Sequence, residues 1–204
     1  MSTSDYWSSL HPTTPPALVQ STYASLLKAY GSSSRHYHNW SHIQQLIHLY
    51  ETYVQQIADR EAVLFSIFFH DIIYNARKSD NEEKSAAAAV AHLQKIGYPV
   101  AQTEKISDFI IATKTHLNTH QDPDIDYFLD FDLQILGSDP VTYRAYTGQI
   151  RQEYHIYPDL LYKPGRKKVL QHFLEKPVIY VTPVFRELYE TNARQNIQAE
   201  LNTL

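Results

Sequence analysis

The sequence contains no cysteine among its 204 residues. This absence excludes disulfide bonds, thiolate zinc sites and cysteine nucleophiles. Only 5 glycines and 10 prolines interrupt the chain. So few turn-forming residues favour a helical protein over a turn-rich β architecture.

The sequence also lacks long apolar runs and an excess of basic charge. No apolar stretch approaches the roughly 20 residues that cross a bilayer, and Met1 to Leu10 has neither the basic nor the apolar region of a secretion signal. The formal net charge is −4 and the pI is near 6.2. We therefore expect a cytoplasmic protein with no membrane partner and no nucleic-acid partner.

Histidine and tyrosine are the compositional excess, with 11 and 16 copies. Many histidines are a weak indication of metal or proton chemistry. The length, the 43% hydrophobic content and the 20% charged content are typical of one globular domain. We expect a single domain over residues 1–204.

Apolar residues recur at helical spacing through most of the chain, which predicts an all-α fold. The predicted helices are Pro15 to Gly31, one with the stripe Ile43, Leu46, Ile47, Leu49 and Tyr50, Asp59 or Arg60 to about Tyr74, Asn81 to Ile96, Pro99 to about His116, Asp126 to Leu136, Asp139 to Tyr154, about 166–175, and 183–201. A turn is expected at 163–166 and an extended connector at 177–182.

The third predicted helix contains an energetic anomaly. Residues 63–74 are almost entirely apolar, and His70 and Asp71 interrupt them. A buried ionised carboxylate costs several kcal/mol, on the order of that for other buried charges, unless a cation compensates it. The compensating cation is either a basic side chain or a metal ion.

A second apolar helix repeats the anomaly with Asp130 and Asp132, and neither stretch contains a lysine or arginine between residues 61–74 or 125–136. Two imidazoles and two carboxylates would suit a divalent metal with open positions for water. This candidate set is His42, His70, Asp71 and Asp132. The spacing leaves a second interpretation open, in which the acids pair with Arg35 or Arg151 and the histidines are hydrogen-bonded core residues.

Four blocks of the sequence carry a resemblance to a known family. They are Tyr37–Ile43 (YHNWSHI), Phe69–Tyr74 (FHDIIY), Asp80–Ala86 (DNEEKSA) and Leu129–Leu133 (LDFDL), the last followed by Leu136-Gly137. Their order and helical settings resemble the HD-domain superfamily of metal-dependent phosphohydrolases. More closely, they are similar to a small bacterial-type subfamily described as predicted HD-superfamily phosphohydrolases. The resemblance covers about residues 30–200.

The resemblance implies an HD-type helical bundle with a metal site in its core. The motif-bearing part would span about 30–137, followed by C-terminal helices at 138–204. The implied metal ligands are His42, His70, Asp71 and Asp132. Asp132 is preferred over Asp130 because the second acid of an Asp-x-Asp pair is the ligand in related proteins.

One divalent ion is expected as cofactor, with Mn, Mg, Fe, Co, Ni and Zn as candidates. A single ion is preferred because Asn81 stands where relatives with two metals have a histidine. His116 and His120 could still supply a second ion.

The implied activity is that of a hydrolase acting on phosphate ester bonds through a metal-activated water. Asp71 and Glu82 are the candidate catalytic residues, with Glu82 orienting the water or acting as general base; a glutamate stabilising a helix N-terminus is the competing interpretation. The candidate substrate-binding residues are Tyr37, Asn39, Arg77, Lys78, Lys114 and His116. Taken singly, such residues are more often solvated surface groups.

The expected partner is a small phosphorylated substrate, a monoester or a diester, with nucleotides among the candidates. One alternative is a metal- and ligand-binding regulatory HD module with little turnover. Another is an HD-type diiron oxygenase, which needs two irons. The oligomeric state is left open, with a homodimer as one option.

Overall fold

The computed structural model describes all 204 residues and contains α-helices, two 3₁₀ helices and no β-strand, which confirms the all-α prediction. The α-helices are α1 (Thr3–Ser9), α2 (Pro16–Tyr30), α3 (Trp40–Tyr53), α4 (Arg60–Phe69), α5 (Asn81–Lys95), α6 (Val100–Ala112), α7 (Pro123–Leu133), α8 (Pro140–Glu153), α9 (Asp159–Glu175) and α10 (Pro183–Leu201). The 3₁₀ helices are Val54–Gln56 and Gln134–Gly137.

The chain divides into two compact units, Met1–Phe128 and Leu129–Leu204. The division falls within α7, which is one continuous helix. The prediction of a single domain, with its motif-bearing part at about 30–137, stays a prediction. No helix of the chain combines the length and the apolar character that a membrane span requires.

Helix α4 is the centre of the first unit. Every residue from Ala62 to Phe69 is buried, and α3, α5 and α6 pack against the helix. Burial of each large apolar side chain contributes roughly 1.5–3 kcal/mol to stability. The packing of α4 therefore contributes a large part of the stability of this unit. Ala86 and Ala89 are the buried small residues of α5, which packs closely on α6.

Helix α4 ends at Phe69, so the expectation that it continues to Tyr74 is wrong. The hydroxyl of Tyr30 donates to the Phe68 carbonyl at 3.0 Å and accepts the Asp71 N–H at 3.3 Å. These groups would otherwise bond within the helix. A tyrosine 41 residues away therefore ends the helix, and no local pattern reports that.

Helix α1 is an element that the sequence analysis did not predict. Ser2 and Asp5 form a capping box at its start, in which Ser2 Oγ accepts the Asp5 N–H and the Asp5 carboxylate accepts the Ser2 N–H. Trp7 is buried against the ring of Phe68, with the centroids 5.3 Å apart. The capping box formed by Ser2 and Asp5 is the local signal from which α1 could have been predicted.

In the second unit, α9 runs through Pro164 and Gly165, so the predicted turn at 163–166 is wrong. An interior proline costs a helix about 3 kcal/mol. Tertiary contacts oppose this cost: Tyr162 is buried, and Arg166 binds Glu200 at 2.7 Å. The predicted helix at 183–201 is confirmed by α10, and residues 177–182 form a connector that is neither helix nor strand.

Candidate metal centre

His42 lies in the first turn of α3, as the sequence predicts, and its side chain is buried. The start of this helix is fixed by Asn39. The Asn39 side-chain oxygen accepts the Ser41 N–H at 2.9 Å, and its amide nitrogen donates to the His36 carbonyl at 2.8 Å. The N-cap therefore sets the position of His42 relative to the preceding loop.

His70 is the C-cap of α4, and its side chain is 1% exposed. Its Nδ1 lies 3.0 Å from the carbonyl oxygen of Ile67. Because a carbonyl only accepts, Nδ1 carries the proton in the neutral ring and the lone pair is on Nε2. Such a hydrogen bond commonly orients a histidine that binds a metal through its other nitrogen.

The two imidazoles meet through their Nε2 atoms. His42 Nε2 lies 3.3 Å from His70 Nε2, and the ring planes are inclined by 65°. The two Nε2 atoms thus face one small volume. The structure brings His42 and His70 together, and their assignment as metal ligands stays a prediction.

Asp132 completes a group of three donors. The ring of Phe128 on α7 contacts His70, with the centroids 5.8 Å apart, and Asp132 follows one helical turn later on the same face. Ligand atoms of His42, His70 and Asp132 all lie within 4.8 Å of one another. Two imidazoles and a half-buried carboxylate form a donor set that fits a divalent metal ion.

Asp71 lies beside this group, with its Oδ2 3.3 Å from His70 Nε2. Asp71 directly follows the C-cap of α4, and its carboxylate approaches the same nitrogen that faces His42. The assignment of Asp71 as a fourth ligand stays a prediction.

Asp130 has a structural role that separates it from Asp132. Its carboxylate is buried and accepts the N–H groups of Val181 and Thr182 at 2.9 and 2.8 Å, as well as the Thr182 hydroxyl at 2.6 Å. Thr182 is the N-cap of α10. Asp130 therefore anchors the start of that helix, in agreement with the preference for Asp132 as ligand.

The arginines considered as alternative partners of the buried acids are engaged elsewhere. Arg35 donates its hydrogen bonds to main-chain carbonyl oxygens, including those of Asp71 and Ile72. Arg151 forms an ion pair with Asp159 at 2.8 Å. The salt-bridge interpretation of the acids through these two arginines is therefore wrong, because neither guanidinium bonds to those carboxylates.

Glu82 lies in the first turn of α5 and is half-buried. Burial raises the pKa of its carboxyl above the usual range; its own main-chain N–H opposes the rise, and the nearby Asp71 carboxylate adds to it. The main-chain N–H at the start of α5 and the carboxylate of Asp71 thus have opposite effects on the pKa of Glu82. The catalytic assignment of Glu82 stays a prediction.

The predicted substrate-binding cations differ in their surroundings. Arg77 and Lys78 are exposed in the loop that follows Tyr74. Lys114 forms an ion pair with Glu83 and donates to the Ser79 carbonyl at 3.0 Å. Lys114 is therefore already engaged, whereas the loop residues present their charges to solvent.

The other predicted substrate-binding residues lie near the ends of helices. The ring of Tyr37 packs on His42 with the centroids 5.0 Å apart, and Asn39 caps α3 through both of its amide atoms. His116 follows α6 with a φ of 50°. Tyr37 thus contacts the candidate ligand His42 through its ring, and binding of substrate by all three residues stays a prediction.

Asn81, the residue that the resemblance places where two-metal proteins have a histidine, has a structural role. Its side-chain oxygen accepts the Asn75 N–H at 3.0 Å, and its amide nitrogen donates to the Asn75 carbonyl at 3.2 Å. His120, considered for a second ion, lies 3.7 Å from the carboxylate of Asp108. The preference for a single ion stays a prediction.

The chain was compared with protein-family models, with curated proteins and with solved structures, and none of the three comparisons gave a match. The resemblance to the HD-domain superfamily therefore rests on the four sequence blocks and stays a prediction.

Proposed function

We propose that the chain is a divalent-metal-dependent phosphohydrolase that acts on small phosphate esters. The observation that carries this proposal is the convergence of His42, His70 and Asp132, which come from three separate parts of the sequence. When bound, a divalent ion would polarise a phosphate oxygen and lower the pKa of water at the site.

The residues around the site have separate roles in metal binding and catalysis. His42 and His70 supply neutral nitrogens, and Asp132 supplies negative charge to hold the cation. The hydrogen bond from His70 Nδ1 to the Ile67 carbonyl keeps Nε2 directed at His42. Glu82, which interacts with Asp71, orients the attacking water or accepts its proton.

The substrate would be bound through its phosphate group. Arg77 and Lys78 lie in the exposed loop after Asp71, where a phosphate oxyanion could bind them. Positive charge at this point offsets the charge that develops on the phosphoryl oxygens during transfer. Nucleotides and simple phosphomonoesters are the substrate classes to test.

The experiment is turnover by the metal-loaded protein. Wild-type protein, His42→Ala and His48→Ala are supplied with Mn²⁺, Mg²⁺, Co²⁺ or Ni²⁺ and assayed for phosphate release from nucleotides, phosphomonoesters and phosphodiesters. His48 is the matched control because it lies exposed on the same helix as His42. We expect turnover in the wild type and in His48→Ala, and its loss in His42→Ala.

Elemental analysis of the purified protein, made alongside this assay, separates the alternatives. A wild-type protein that binds one metal ion per chain but releases phosphate from none of the substrates would favour a regulatory module. Two irons per chain would favour an oxygenase. Equal turnover in His42→Ala and in the wild type would contradict the proposed site.

A further inference from the structure

We infer that Arg35 is the positioning residue of the candidate metal centre, because it joins the end of α4 to the segment before α3. This inference rests on the proposed metal site. Arg35 is not a ligand: its guanidinium binds main-chain groups of the segments that carry His42 and His70.

The contacts of Arg35 span both segments. One terminal nitrogen of the guanidinium donates to the Asp71 carbonyl at 2.6 Å and to the His38 carbonyl at 3.2 Å. The other terminal nitrogen donates to the Ile72 carbonyl at 2.8 Å. His38 lies four residues before His42, and Asp71 directly follows His70. One side chain therefore links the two ligand-bearing segments.

Aromatic rings hold the guanidinium in this place. Its central carbon lies 5.0 Å from the ring centre of Tyr30 and 5.6 Å from that of Tyr74. The Tyr74 ring stacks in turn on His38, with the centroids 4.4 Å apart. These rings restrict the rotamers of Arg35, and favourable cation–π contacts offset part of its desolvation.

The chemistry of the position requires an arginine. Arg35 is 8% exposed, and its hydrogen bonds all go to main-chain carbonyl oxygens outside the helices. A lysine ammonium is a point charge and cannot reproduce the planar fork that reaches three carbonyls at once. A residue that merely filled this space would be apolar, since burying a charge is costly.

Loss of Arg35 has a specific geometric consequence. The carbonyls of Asp71 and Ile72 would lose their donor, and the connection to the His38 carbonyl would break. The segment after α4 would then no longer be fixed to the loop before α3, so His70 and His42 would no longer be held at a defined distance. The ligands would remain in the chain but would no longer be held at one point.

The test is a Co²⁺ titration followed by visible absorbance, with thermal unfolding of the metal-free protein measured in parallel. The variants are Arg35→Met and Arg35→Lys. Arg151→Met is the matched control, since Arg151 also donates to two main-chain carbonyls and lies over a tyrosine ring, 4.6 Å from the centre of Tyr162. Helical circular dichroism reports whether each variant is folded.

We expect both Arg35 variants to bind Co²⁺ about 10- to 100-fold more weakly, as for other residues that support metal ligands, and to show an altered spectrum. Arg151→Met should keep the wild-type Kd within twofold. Wild-type Kd and spectrum in either folded Arg35 variant would overturn the inference, even if its unfolding temperature fell. A wild-type protein that binds no Co²⁺ would refute the proposed metal site itself.

Discussion

Asp130 and Asp132 are two residues apart on one apolar helix, yet they have different partners. Asp130 accepts hydrogen bonds from the start of α10, whereas Asp132 belongs to the candidate ligand group. Both acids interrupt an apolar pattern in the same way, so hydrophobicity alone could not assign their roles. The distinction came from the motif resemblance, and the hydrogen bonds of Asp130 agree with it.

This difference predicts opposite effects of the two Asn substitutions. Asp130→Asn should lower the free energy of unfolding by about 2 kcal/mol, because hydrogen bonds to a charged group are lost in a buried site. Its metal content should stay at the wild-type level. Asp132→Asn should lose bound metal and keep most of its stability. Urea unfolding and elemental analysis measure the two effects, and reversed results would contradict the assignment.

Glu82 gives a second prediction at the level of single residues. Glu82→Gln should reduce phosphate release by on the order of 100-fold, because general acid–base catalysis contributes at least that much, while metal content is unchanged. Glu83→Gln is the control, since Glu83 is exposed and pairs with Lys114. Equal turnover in Glu82→Gln and Glu83→Gln would remove Glu82 from the mechanism.

The candidate ligands could be predicted from the sequence, whereas the residues that hold them in place could not. His42, His70 and Asp132 stand out because polar residues in apolar helices are conspicuous. Arg35 and Tyr30 do not, because an arginine in a polar connector and a tyrosine in a helix are ordinary. Their importance lies in hydrogen bonds to main-chain atoms far along the chain, which side-chain patterns do not report.

Helix boundaries show where local signals decide the structure and where they do not. Asp139 is the N-cap of α8, and its carboxylate accepts the N–H groups of Val141 and Thr142. The bounds of α8 are those predicted. Gly97 has a φ of 70° and follows α5 as a left-handed stop, as predicted. In contrast, Pro164 and Gly165 are strong local turn signals, and the contacts of the surrounding helix override them.

Gly165 in α9 and Gly97 after α5 give a prediction for the free energy of unfolding. An added Cβ meets nothing within 4 Å at either Gly165 or Gly97, so backbone conformation alone decides the effect. Gly165→Ala should raise the free energy of unfolding by about 0.5–1 kcal/mol, because alanine favours the interior of α9. Gly97→Ala should lower it by roughly 1 kcal/mol, because φ is positive there.

Chemical denaturation of the two alanine variants measures this pair of effects. No stabilisation in Gly165→Ala would indicate that residues 163–166 form a turn in solution. That result would restore the interpretation based on the local sequence.

At the level of the whole molecule, a buried histidine pair gives its stability a pH dependence. His11 Nε2 and His92 Nε2 are 2.8 Å apart, and His11 Nδ1 lies 2.7 Å from the Trp7 carbonyl oxygen. His92 Nδ1 lies 3.5 Å from the hydroxyl of Thr22. In the neutral pair one Nε2 donates to the other, whereas protonation of both rings would set two N–H donors against each other.

The pKa of His92 falls from 6.5 to about 4, first because of burial and then because of the charges of His11 and Lys95. Between these two values the unfolded chain binds more protons than the folded one, so acidification favours unfolding. The stabilising effect is complete above pH 6.5 and is lost as the pH falls towards 4. The slope attributable to His92 approaches about 1.4 kcal/mol per pH unit.

His92→Gln should flatten the pH dependence of the free energy of unfolding between pH 4 and pH 6.5. His48→Gln, at an exposed histidine, should leave it unchanged. Urea unfolding at several pH values makes the comparison. Identical slopes in the wild type and in His92→Gln would contradict this account of the pair.

The metal content of the purified protein tests the central claim most directly. Elemental analysis is performed on wild type, His70→Ala and His120→Ala, the last replacing an exposed histidine outside the ligand group. We predict about one divalent ion per chain in the wild type and in His120→Ala, and almost none in His70→Ala, because a central ligand is missing. Equal metal content in all three proteins would contradict the site.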